Sequence, residues 1–138
     1  MKRILLLFVA LTLAVGCSKN DENSQKEKVT LEIQLRPSKN GLTVSPVYLF
    51  YRTAETEKVM NSGKYEFDFK REGFVELSTG KLVKYHDKQE VNANGLVIFH
   101  NVPKDYVYFG VRYSSTSGEV SFGELLNLNE KTKYDFSK

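Results

Sequence analysis

Cys17 is the only thiol in the 138 residues, and it lies in the stretch "LAVGCSKNDE" between an apolar run and a short acidic one. A thiol can be alkylated to a stable thioether, a reaction for which serine is a far weaker nucleophile. It cannot close a disulfide within this chain, because there is no second cysteine. The two histidines, His86 and His100, are too few for zinc, which needs three or four ligands converging tetrahedrally. Asp21 and Glu22 stand in a wholly polar run, with nothing to hold an acid and a base in register. The chain has no nucleophile elbow, no phosphate-cradling glycine loop and no HExxH. No catalysis, no metal and no cofactor are expected.

The residues before Cys17 explain its setting. Met1, Lys2 and Arg3 form a basic end, and residues 4–16 carry no charge. As a helix those residues would reach roughly 20 Å, short of the roughly 30 Å hydrocarbon core of a bilayer. A basic start, a short apolar run and small residues at a cleavage point are the layout of a secretory signal peptide. Ala14, Val15, Gly16 and Cys17 resemble the lipobox of bacterial lipoproteins, which implies that Cys17 becomes the first mature residue and carries the acyl chains.

The expected organisation is a signal peptide over residues 1–16, a lipid-anchored tether over 17–28 and a domain over 29–138. Ser18 to Lys28, "SKNDENSQKEK", has no apolar residue and nothing to set against the entropy of ordering. Removing Lys2 and Arg3 lowers the formal charge from +3 to +1, so no basic face for a nucleic acid is expected. Ser18 follows the cysteine where an aspartate tends to retain lipoproteins at the inner membrane of Gram-negative bacteria. Lys19, Asn20, Asp21 and Glu22 resemble the charged export signal of surface lipoproteins in Bacteroidota. Together they imply an outer-membrane protein facing outward.

From Val29 the pattern is that of strands. In "VTLEIQLR", Val29, Leu31, Ile33 and Leu35 alternate with polar residues, the period of a half-buried strand. "PVYLFYR" is apolar or aromatic on both faces up to Arg52, as in the middle of a sheet, with Pro46 at its first position. "KYEFDFK" alternates from Lys64 to Lys70, and Phe74–Leu77 and Leu82–Tyr85 bracket a hairpin turn. "AETEKVM", from Ala54 to Met60, favours helix but is too short to hold itself, so a loop or one or two turns is expected. Asn94 and Gly95 supply a turn with positive φ before Leu96–Phe99. "YVYFGVRYS" follows, with Val107, Phe109, Val111 and Tyr113 on one face. Val120 with Phe122, and Lys131–Phe136, complete an all-β, antiparallel sandwich.

The order of these elements resembles the carboxypeptidase-regulatory-like, or transthyretin-like, family of β-sandwich domains. Asn94, Gly95, Val97, Phe99, Val102, Pro103 and Tyr106 stand where that family has its turn, strand, apolar-proline turn and leading tyrosine. The interval from Thr53 to Glu90 is longer than in such domains. The resemblance implies a Greek-key sandwich of about seven strands that acts as a spacer, attachment module or stabilising appendage, with no catalytic residues to transfer.

Sixteen aromatic residues remain beyond the leader. Tyr106 and Tyr108 alternate with the core set of their strand, as Tyr48 does beside Val47 and Leu49. They form either a second buried face or an exposed aromatic platform for a sugar or a partner domain. The expected function is a non-enzymatic envelope lipoprotein acting as a structural or protein-interaction module. The alternative is a carbohydrate-binding or other ligand-binding surface module, and the partners in view are the outer membrane and an envelope protein or glycan.

Overall fold

The computed structural model describes residues 26–37, 43–114 and 120–138, and the side chains of residues 43–44 and 113–124 are outside that description. Among the described residues the order is β1 (Lys28–Leu35), β2 (Thr43–Tyr51), α1 (Ala54–Ser62), β3 (Tyr65–Asp68), β4 (Gly73–Glu76), β5 (Leu82–Lys84), β6 (Asp87–Gln89), β7 (Leu96–Pro103), β8 (Tyr106–Ser114), β9 (Val120–Asn127) and β10 (Lys133–Phe136). Three sheets result, ordered β10-β1-β7, β6-β2-β8-β9 and β3-β4-β5. The first two face each other across a shared core and contain the seven strands of the sandwich. The third is an additional layer built from the long interval between β2 and β6.

Strand alternation builds the core. Leu31, Ile33 and Leu35 of β1 point inward with Val97 and Phe99 of β7, against Val47 and Leu49 of β2 and Val107, Phe109 and Val111 of β8. Each such side chain contributes roughly 1.5–3 kcal/mol on full burial. In β7, Phe99 and Val102 are both buried although three positions apart. A bulge makes this possible: the register with β1 passes from Val29↔Val102 to Leu31↔Phe99, so His100 and Asn101 together oppose Thr30. Asn101 takes a φ of 58° there, and the extra residue resets which face the strand shows to the core. Pro46 lies inside β2, not at its first position. It falls where the register with β8 shifts between Val44 and Val47, a place where a missing N–H disrupts no regular ladder bond.

Two expectations are corrected. Residues 54–62 form a nine-residue helix, not a loop or one or two turns. Thr53 and Thr56 make a reciprocal capping box, with Thr56 N–H to Thr53 Oγ1 at 3.1 Å and Thr53 N–H to Thr56 Oγ1 at 2.8 Å. Thr56 is 1% exposed and donates its hydroxyl to the Tyr51 carbonyl at 2.7 Å, while Gly63 closes the helix at φ 63°. Capping and tertiary burial of Val59 supply what seven residues of propensity lack. The sandwich is also not wholly antiparallel. β10 runs parallel to β1, pairing Glu32↔Lys133 through Leu35↔Phe136, because the chain after β9 crosses to the other sheet before pairing.

Candidate functional site

The three tyrosines singled out as a surface lie on one face of the central sheet, which the third layer covers at Tyr48. Odd residues of β2 face the sandwich core, which leaves Tyr48 and Phe50 on the opposite face. There α1 and β3–β5 cover them with Val59, Phe74, Val83, Met60, Tyr65, Phe67 and Tyr85. Tyr48 is 0% exposed, its ring 5.1 Å from Phe67 and 5.3 Å from Tyr85. As an element of a binding platform it is corrected, since the chain's own residues occupy its face. Tyr108 is half-buried against the same cluster. Tyr106 is half-buried beneath Arg52, whose guanidinium carbon is 5.0 Å from the ring centroid.

A buried tyrosine needs a partner for its hydroxyl. Tyr48 donates to Glu72 Oε1 at 3.4 Å, and the same oxygen accepts from Lys88 Nζ at 2.8 Å. Glu72 sits in the β3–β4 turn at φ 52°, a conformation that a side-chain-bearing residue rarely adopts. Burial, followed by the Glu72 charge, raises the Tyr48 pKa, whereas the Lys88 hydrogen bond leads in lowering that of Glu72. Glu72 and Lys88 tie the third layer to the central sheet, and no sequence motif marks them. This arrangement joins layers by polar bonds and stages no reacting group.

The histidines make separate contacts. His100 is exposed on the outer side of β7, its Nδ1 3.5 Å from Thr30 Oγ1. His86 is exposed, but its ring stacks on Tyr51 at 4.5 Å and its Nδ1 accepts from the Tyr51 N–H at 3.1 Å. The His86 backbone N–H donates to the Leu49 carbonyl at 2.8 Å. A donor aimed at Nδ1 requires the neutral ring, and burial lowers the pKa below the usual histidine value, against a smaller opposing effect of Glu55. In the unfolded chain His86 binds its proton more readily than in the folded one. Its contribution to stability is complete above about pH 6.5 and is lost as the pH falls through the unfolded and then the folded pKa. Urea unfolding of the wild type and of His86→Asn from pH 7.5 to 5 checks this: the wild type is expected to lose more stability than the variant. Parallel curves would refute it.

Among the described residues, no three His, Cys, Asp or Glu side chains converge as metal ligands, and no helix is long and apolar enough to cross a membrane. Of the exposed large apolar residues, Ile98 and Leu125 lie on strands of different sheets and Leu77 lies in the turn after β4. Cys17, Ser18, Lys19, Asn20, Asp21 and Glu22 lie outside the described residues. The last residues of the expected tether do not: Lys26 bonds Asp105, and Lys104 bonds Glu27, so the domain's contacts begin before Val29. Opposite charges at the two chain positions, Lys-Glu and Lys-Asp, were the available sequence signal for this contact.

No protein-family model, curated protein or solved structure matches the chain. The described residues form a small, predominantly antiparallel, all-β sandwich-like domain of several sheets, with one short helix among them.

Proposed function

We propose that the protein is a non-enzymatic cell-envelope lipoprotein, a structural or protein-interaction module held at the outer membrane through acylated Cys17. The closure of the Tyr48 face by the chain's own third layer supports a structural role over a ligand-binding one. Aromatic area that could stack on a sugar packs Phe50, Phe67 and Phe74 instead, and of the three tyrosines only Tyr106 is not part of that cluster. The transthyretin-like, Greek-key reading of the sandwich belongs to the same proposal and rests on the Asn94–Tyr106 stretch.

Anchoring is tested by fractionation and protease treatment of intact and lysed cells. Cys17→Ser is expected to leave the membrane fraction, because stable anchoring takes two or more lipid signals and this variant has no site for them. A variant with Asp21 and Glu22 both changed to alanine is expected to stay membrane-bound but escape surface cleavage. Persistence of Cys17→Ser in the membrane would refute the anchor. Native protein cut only after lysis would refute the outward facing. The structural role is tested by crosslinking in intact cells, which is expected to join the native chain to a reproducible envelope neighbour. Specific glycan binding by residues 26–138, abolished by Tyr106→Ala, would replace the module reading with the ligand-binding one.

A further inference from the structure

Two crossed ion pairs mark where the upstream chain joins the sandwich. Lys26 Nζ bonds the Asp105 carboxylate, and Lys104 Nζ bonds Glu27 Oε2 at 2.8 Å. Between them the Lys104 N–H donates to the Glu27 carbonyl at 2.7 Å. The chain is thereby held at the β7–β8 turn. At the other end of β1, the Leu35 N–H donates to the Gly95 carbonyl at 2.8 Å, beside the Asn92–Gly95 turn. β1 spans eight residues between the two ends, about 25 Å at the strand rise. Lys26 lies nine residues beyond Cys17, a number of residues that spans at most about 32 Å.

We infer that the β7–β8 end of the sandwich is its lipid-facing base and that the Asn92–Gly95 end is directed away from the membrane. This rests on the Cys17 anchor proposed above and adds what acylation alone leaves open, namely which surface of the domain meets the headgroups. The distal end is a full strand length beyond the point of attachment. The base accordingly stays nearer the bilayer. Attraction to anionic lipid is not what places it there. Lys26, Lys104 and Arg52 at this end are paired with Asp105, Glu27 and Glu57, so these three cations are offset within the protein. The orientation follows from covalent attachment and is insensitive to salt.

The test uses the full lipidated chain in vesicles of phosphatidylcholine with a fraction of anionic phosphatidylglycerol and a nitroxide-headgroup lipid. Acylation consumes the Cys17 thiol, so a single introduced cysteine is the sole labelling site. Glu130→Cys marks the base, since Asn127 pairs with Tyr106 and the Leu128 N–H donates to the Asp105 carbonyl at 3.0 Å. Ala93→Cys marks the distal turn, and both positions are exposed. A fluorophore at residue 130 is expected to be quenched at least about twofold more than one at residue 93, with a ratio unchanged from about 0.05 to 0.5 M salt. Equal or reversed quenching on vesicle-bound protein overturns the orientation and leaves the anchor standing. A ratio that collapses in high salt overturns the attachment argument, because lipid electrostatics would then set the pose. Unbound protein with Cys17 still titratable overturns the anchor, and the orientation with it.

Discussion

Replacing Phe99 with alanine is expected to lower stability by about 3–5 kcal/mol, the range for removing a fully buried phenylalanine and leaving a cavity. Phe99 is 0% exposed and sits where β1, β2, β7 and β8 converge on the core. The cost is large against the roughly 5–15 kcal/mol that holds a domain of this size folded. Collapse around the gap is opposed by the adjacent bulge: His100 and Asn101 already depart from the regular ladder opposite Thr30. Phe67→Ala is the internal comparison. Phe67 is half-buried in the third layer, with Phe69 and Phe74 rings at 5.4 Å, and its loss is expected to cost less than that of Phe99. Urea unfolding of the two variants measures both. An equal or larger loss at Phe67 would show that the third layer, not the sandwich, carries the stability.

Gly95→Ala is expected to cost about 3 kcal/mol or more, whereas Gly80→Ala costs about 1 kcal/mol. Both glycines have positive φ, 82° and 72°, so both substitutions meet the same left-handed backbone penalty. Their surroundings differ. A Cβ at Gly80 meets nothing within 4 Å, while one at Gly95 falls 2.3 Å from the Leu35 carbonyl oxygen and 3.1 Å from the Pro37 nitrogen. Both contacts are backbone, which cannot swing aside as a flexible side chain can. Relief requires moving the end of β1 away from the turn, which disturbs the Leu35 N–H bond to Gly95 and the bond from Gln34 Nε2 to the Asn94 carbonyl at 2.7 Å. The difference between the two variants isolates the close approach from the backbone preference. Matching losses would mean that the turn moves freely and that φ alone explains the glycine.

The sandwich was largely legible because its signals are local. Alternation in Val29–Leu35 identified the inward set of β1, and the same pattern identified Val107, Phe109 and Val111 in β8. A strand apolar on both faces predicted the central position of β2, which pairs with β6 on one side and β8 on the other. The helix was less legible. Its cap uses Thr56 at the third helical position, not the glutamate or glutamine of the usual box, and its stability depends on covering Val59 from elsewhere in the chain. β6 offered no apolar signal at all, since Asp87–Gln89 is polar and is a strand only because β2 has an edge for it to pair with. The candidate surface was misplaced at Tyr48 for a related reason: alternation reports that a side chain turns from one core, but not whether another layer waits on the other side.

By itself the sequence determined the lone thiol, the polar run behind it, the Asn-Gly turn and the side-chain parity of the main strands. These depend on residue type and on neighbours within a few positions. Tertiary structure alone decided that β10 pairs parallel to β1, that Lys104 and Asp105 hold Glu27 and Lys26, and that Phe99 and Val102 share a face through the bulge at His100–Asn101. It also decided that the aromatic side of β2 is interior. Each of these joins residues far apart in the chain. Period-two patterning specifies which way a strand faces, whereas the identity of what it faces is set by pairing and layer packing between distant segments.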